Sequence, residues 1–166
     1  MKYENEIFKI LCVLSLTMIL SIFFISKCNA QTWTASDMNG VSYDLSNYTT
    51  TPTTKATLVD ISAHWCGPCW SWHTGGVMEE LYHDFGPDGT DEFMVFFIDG
   101  DAASSVSLLN GATGSQGDWT VGTPYPLIGP NGEGASVASN YTFPGYPTLF
   151  LHCGTGIAPE IQRNEK

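Results

Sequence analysis

Two cysteines, Cys66 and Cys69, lie two residues apart at the end of an apolar run and at the start of a helical pattern. The chemistry open to that spacing is thiol–disulfide exchange. A cysteine at a helix N-terminus faces unpaired backbone N–H groups and the positive end of the helix dipole, and both favour a thiolate. In such a place the thiol pKa falls from about 8.5 to roughly 3.5–7.5. Cys66 is then the attacking thiolate, exposed behind Trp65. Cys69, one helical turn later and more buried, resolves the mixed disulfide. Gly67 permits the tight turn, and Pro68, with its fixed φ and no N–H, suits a first helical turn.

The same stretch spells a second chemistry. His64, Cys66, Cys69 and His73 form H-x-C-x2-C-x3-H, four groups able to ligate zinc. No second C-x-x-C accompanies them, and Gly-Pro between the cysteines fits a redox turn. Metal ligation is therefore the lesser alternative, and the expectation is no metal and no cofactor. His64 is expected at the surface and His73 on a helix face.

Several elements must position the turn. Residues 56–63 are apolar on both faces and read as a buried central strand. Asp60 stands within it, an acid six residues before Cys66. Residues 68–85 are helical in pattern, with Val77, Met78, Leu81, Tyr82 and Phe85 on one face. Thr74-Gly75-Gly76 interrupts that pattern and permits a bend. Trp70 and Trp72 serve equally as a docking rim or as core. Residues 93–98 form a second buried strand, closed by Asp99-Gly100-Asp101. Upstream, Asn39-Gly40 predicts a two-residue hairpin turn, followed by alternating Val41, Tyr43 and Leu45.

Leu58-Val59-Asp60-Ile61-Ser62-Ala63-His64-Trp65-Cys66-Gly67-Pro68-Cys69 resembles the active-site strand and turn of the thioredoxin superfamily, with a complete W-C-G-P-C signature. The hairpin before it is similar to the start of envelope TlpA/ResA-type proteins. The resemblance implies an α/β fold, a mixed sheet flanked by helices with an N-terminal β-hairpin. It implies a redox-active Cys66–Cys69 disulfide exchanged with protein thiols and disulfides. It assigns Asp60 to the proton of the resolving cysteine, a role that burial favours by raising a carboxyl pKa toward neutrality. The lysine that relatives often carry near this acid has no counterpart in Phe93-Met94-Val95-Phe96-Phe97.

Tyr146-Pro147-Thr148 matches a second family feature, a cis-proline beside the C-x-x-C turn. By base rate alone Pro147 would be trans. The resemblance thus places Trp65, Gly67, Pro68, Tyr146 and Pro147 around a docked substrate. Gly-Pro between the cysteines resembles the reducing members, although the sequence does not set the direction of exchange.

Residues 1–30 read as a secretory signal peptide: Lys2 and Lys9, then an apolar stretch at 10–25, then small residues ahead of Gln31. An uncleaved anchor through residues 10–25 is the runner-up. Lipidation at Cys28 is disfavoured by Lys27. The expected location is periplasmic or secreted, where an unidentified upstream electron donor or acceptor must set the redox state.

Residues 31–166 suit one domain of 136 residues. Loss of the leader removes three of six basic and two of 17 acidic residues, leaving a formal charge of −12. Such a surface repels nucleic acid and anionic lipid. Cys66, Cys69 and Cys153 remain, too few for a disulfide-stapled scaffold. Cys153 is expected as a buried free thiol. Residues of about 102–142 read as an irregular insertion, either a specificity loop or plain structure. It comprises a short helix within 102–110, a Gly-rich run at 111–117 and an aromatic, proline-rich stretch at 118–128. The C-terminus looks shortened, with part of a strand at 156–161 and no long helix, which would leave apolar sheet surface uncovered. Two rival functions remain: a non-catalytic interaction module on this scaffold, and a metal-binding envelope protein using His64, Cys66 and Cys69.

Overall fold

The longest β-branched and aromatic runs become the two central strands. A computed structural model describes residues 31–50, 54–153 and 156–157. The predicted leader, with Cys12 and Cys28, and the chain after Ile157 lie outside the described residues. In chain order the elements are β1 (Thr34–Ser36), β2 (Ser42–Asp44), α1 (Ser46–Thr49), β3 (Ala56–Ser62), α2 (Gly67–His73) and α3 (Val77–Phe85). They continue with β4 (Phe93–Asp99), α4 (Val106–Leu109), β5 (Leu127–Ile128), a 3-10 turn (Pro130–Gly132), α5 (Glu133–Ala138), β6 (Thr148–Cys153) and β7 (Gly156–Ile157). No helix among the described residues is long and apolar enough to cross a membrane.

The main sheet is mixed, in the order β5-β4-β3-β6-β7, and β1 and β2 form a separate antiparallel hairpin. β3 runs parallel to β4, β4 runs parallel to β5, and β6 is antiparallel to both β3 and β7. Alternation sorts the side chains of β3 and β4 into two cores. Val59, Ile61, Phe96 and Ile98 face Trp33 and Leu45 of the hairpin region, Val137 of α5 and Phe150 of β6. Leu58, Val95 and Phe97 face Cys69, Met78, Leu109, Trp119, Tyr125 and Leu127. Each such apolar side chain, fully buried, stabilises the fold by about 1.5–3 kcal/mol.

Three local expectations are corrected. The hairpin connection is a five-residue loop, because Ser36 pairs with Ser42. Asp37 organises it by accepting the N–H groups of Asn39 and Val41 at 2.9 Å each. Only Gly40 there has positive φ, at 83°, and Val41 is exposed. The helical pattern of 68–85 is broken outright: Gly76 takes φ 77° and separates α2 from α3. Val77 and Phe85 consequently face solvent, while Met78 carries the buried contact. Cys153, at the end of β6, is a free thiol that is exposed rather than buried.

Residues 102–142 carry α4, β5 and α5. β5 forms an edge of the main sheet, and α5 packs against β4.

Candidate active site

β3 ends at Ser62, and the chain turns at once into α2. The N–H of Cys66 donates to the carbonyl of Ala63 at 2.9 Å. Cys66 caps α2 in extended conformation, and its Sγ accepts the N–H of Cys69 at 3.2 Å. Pro68 occupies the first turn, where a missing N–H costs nothing. Cys66 and Cys69 are joined in a disulfide, with Cα atoms 5.2 Å apart. Cys69 is fully buried and Cys66 is only 4% exposed, less open than its position suggests. The exposed group at the turn is Trp65, at 48%.

Two acids, Asp99 at the end of β4 and Asp101 just beyond it, hold this turn from one side. The register pairs Ser62 with Asp99, so the end of β4 lies beside the turn. Asp99 is fully buried and accepts from the His64 N–H and the Asp101 N–H through Oδ1, each at 3.3 Å. Its Oδ2 pairs with His64 Nδ1 at 2.9 Å. His64 is thus buried against a carboxylate, contrary to the surface position expected. Trp65 Nε1 donates to Asp101 Oδ2 at 2.6 Å. That bond, with the Ala103 N–H, holds the Asp101 carboxyl below the usual carboxylate range.

A loop holds the turn from the other side. Gln116 donates its backbone N–H to the His64 carbonyl at 2.9 Å and its Nε2 to the Trp65 carbonyl at 2.8 Å. Ser115 Oγ reaches the same His64 carbonyl at 3.3 Å and receives Trp119 Nε1 at 3.0 Å. Trp119 is fully buried and packs edge-on against Trp70 of α2, with ring centroids 5.0 Å apart. Trp70 and Trp72 are both half-buried. The loop can lie this close only because residue 117 is glycine: a Cβ there would sit 2.5 Å from the Trp70 ring.

Asp60 is fully buried and shares the sheet face of Leu58, the face that packs on both cysteines. Its Oδ1 accepts from Ser62 Oγ at 2.7 Å. Its cross-strand neighbours are Phe97 and Leu149, so no lysine stands opposite it. The Tyr146–Pro147 peptide bond is cis. Tyr146 meets Trp65 edge-on at 5.9 Å and Phe143 at 5.5 Å, forming an aromatic shelf beside the turn. Gly67, Tyr146 and Pro147 are half-buried and Pro68 is exposed along this edge.

The alternative zinc set is not gathered. The two sulfurs are bonded to each other and His64 is engaged by Asp99. His73 is buried, with Nδ1 3.2 Å from the Tyr125 hydroxyl and Nε2 3.2 Å from Thr123 Oγ1. Burial pushes the His73 imidazole below its ordinary pKa. Among the described residues no three His, Cys, Asp or Glu side chains are grouped to hold a metal.

Sequence reasoning had no role for Asp99, Asp101, Ser115, Gln116 or Trp119. The two acids were findable: pairing two buried parallel strands brings the acids at the end of β4 next to the residues before Cys66. Gln116 carried no signal, since it sits in a polar Gly-rich run.

No family model matches the sequence, and no curated protein matches it either. Solved structures do. A protein from Bacteroides thetaiotaomicron assigned as a disulfide isomerase aligns with TM-score 0.58 and 18% identity, over 81% of this chain and 77% of its own. A thiol-disulfide oxidoreductase from Bacteroides fragilis aligns with TM-score 0.56 and 18% identity, over 80% and 90%. A secreted Mycobacterium tuberculosis disulfide oxidoreductase, homologous to E. coli DsbE, aligns with TM-score 0.55 and 12% identity, over 81% and 84%. The five-stranded mixed sheet, the hairpin before it and the C-x-x-C turn at the mouth of α2 are the thioredoxin fold, and this chain has that fold.

Proposed function

We propose that this protein is an extracytoplasmic thiol–disulfide oxidoreductase that exchanges its Cys66–Cys69 disulfide with protein substrates. The observation that carries the reading is the disulfide at the N-terminus of α2, with the Cys69 N–H directed at Cys66 Sγ. When the pair is reduced, that N–H and the helix terminus favour negative charge on Cys66 sulfur. The Cys66 thiolate attacks a substrate disulfide, a mixed disulfide forms, and one substrate thiolate leaves. Cys69 then loses its proton and attacks Cys66 Sγ, releasing the second substrate thiolate. Two electrons pass to substrate and the Cys66–Cys69 bond is restored. In reverse, the same steps oxidise a dithiol substrate.

Asp60 takes the proton of Cys69 in this scheme. It is the carboxylate buried in β3, on the sheet face that packs on Cys69. Trp65, Gly67, Pro68, Tyr146 and Pro147 receive the substrate segment, with the aromatic shelf as its apolar support. An export leader at residues 1–30 and the secreted M. tuberculosis neighbour support a location outside the cytoplasm, periplasmic or secreted. There an upstream partner must supply or accept electrons. Residues 10–25 would serve as a tether if the leader is retained.

Insulin disulfide reduction driven by dithiothreitol tests the reading. The chain should accelerate it, and Cys66→Ser should abolish the acceleration. Equal rates with and without the protein would leave a non-catalytic module.

A further inference from the structure

The loop after α4 reaches the C-x-x-C turn through two side chains, Ser115 and Gln116, and Gln116 is the exposed one. We propose that Gln116 is a positioning residue that sets the redox poise of the Cys66–Cys69 pair, holding the peptide before Cys66 so that the disulfide is favoured over the dithiol. The inference rests on the redox reading above and adds a determinant of its potential.

The Trp65–Cys66 peptide is pinned at both ends. Its N–H, on Cys66, donates to the Ala63 carbonyl at 2.9 Å. Its carbonyl, on Trp65, accepts Gln116 Nε2 at 2.8 Å. The preceding carbonyl, on His64, accepts the Gln116 N–H at 2.9 Å. One residue thus bonds two successive carbonyls on the approach to Cys66. Such a clamp positions the turn only if its own base is fixed. That base is Trp119, three residues on and fully buried. Its N–H donates to the Leu109 carbonyl at 2.8 Å and its indole to Ser115 Oγ at 3.0 Å. A bridge between Asn110 and Asp118 closes the loop behind it. The loop is therefore anchored without help from the turn.

The clamp and the disulfide restrain the same stretch of backbone. In the oxidised protein the covalent tie to Cys69 already fixes Cys66, so the Gln116 bond forms on an ordered turn. In the dithiol that tie is gone. The same bond must then order the backbone before Cys66 by itself, at a cost in conformational entropy. The bond is accordingly worth more in the disulfide form. Coupling between two such events is reciprocal, so a bond favoured by the disulfide favours the disulfide in return. Gln116 thus draws the reduction potential down. Its amide is neutral and adds no charge that would stabilise a Cys66 thiolate directly.

The test equilibrates the full chain with reduced and oxidised glutathione. Two glutathione thiols convert the Cys66–Cys69 disulfide to two protein thiols and leave as one glutathione disulfide, with two electrons and two protons passing to the protein. Alkylation and peptide mapping read Cys66 and Cys69 alone, which keeps the other cysteines out of the constant. Gln116→Met keeps the side-chain length and removes the donor. It should shift the exchange constant about three- to tenfold toward the dithiol, a rise of roughly 15–30 mV at about 30 mV per tenfold. Gln116→Asn withdraws the amide by one carbon. It should shift the constant the same way, and it replaces Gln116→Met if that variant does not melt cooperatively. A merely structural role weakens both redox forms alike and leaves the constant where it was. An unchanged constant, or a shift toward the disulfide, in a folded variant would overturn the proposal while the redox reading stands. A parent chain without a reversible Cys66–Cys69 couple would overturn both.

Discussion

Asp60 and Cys69 share one face of the sheet, and that placement makes Asp60 the residue whose removal should be most selective. Asp60→Asn keeps an acceptor for Ser62 Oγ but removes the proposed base. The resolving step at pH 7 should slow by about 10²-fold, the low end for a positioned base, while formation of the mixed disulfide through Cys66 stays unchanged. Rapid-quench alkylation separates the two steps, and equal slowing of both would contradict the role. Two buried histidines make a second prediction. Burial lowers the pKa of His73 and of His152. Below about pH 6.5 the unfolded chain takes up protons that the folded chain refuses, so stability should fall as pH drops through that point. The urea midpoint should be lower at pH 5.5 than at 7.5, and His73→Gln should flatten the difference; an unchanged slope would refute the assignment. At this scale the sequence was informative where a residue broke its local pattern. Asp60 stood out as an acid in an apolar run. His64 did not, because the buried carboxylate that accepts it belongs to a strand 35 residues away.

The loop from Asn110 to Thr120 is the element that sequence reading undervalued. Its polar, Gly-rich composition reads as a connection, yet it clamps the turn through Ser115 and Gln116 and seats Trp119 in the core. Contacts so distant in sequence leave no periodicity to read. Gly117→Ala must displace the Trp70 ring or the loop. It should lower the melting temperature and shift Trp70 fluorescence, and a variant with unaltered melt and spectrum would show that the close approach is unimportant. Trp119→Ala should cost about 3–5 kcal/mol in urea unfolding, as large aromatic deletions in cores do. A loss under about 1 kcal/mol would mean the loop is a surface strap without a core anchor. The hairpin and the α2–α3 break teach a related lesson. Asn39-Gly40 and Gly75-Gly76 correctly marked turns. The loop length was set by Asp37 and its Asx bonds, and the break by one glycine at positive φ.

The whole molecule is a sheet with a core on each face. The strands were legible because β3 and β4 are largely apolar on both faces, as strands covered on both sides must be. The order β5-β4-β3-β6-β7 was less legible: β5 is two residues long and lies within a stretch whose prolines and glycines read as loop. The two sides of the candidate site, the C-x-x-C turn and the Tyr146-Pro147 corner, come from chain segments about 80 residues apart and meet through Trp65 and Tyr146. That meeting gathers the Cys66–Cys69 disulfide and the cis-proline corner into one candidate site. The most direct measurement is an equilibrium redox titration of the full chain in buffers of graded thiol–disulfide potential, followed by alkylation and peptide mapping of Cys66 and Cys69. The account predicts that both thiols appear together in one reversible transition with the two-electron slope of about 30 mV per tenfold change, and that the transition vanishes in Cys66→Ser. Absence of a reversible Cys66–Cys69 transition, or its survival in Cys66→Ser, would contradict the account.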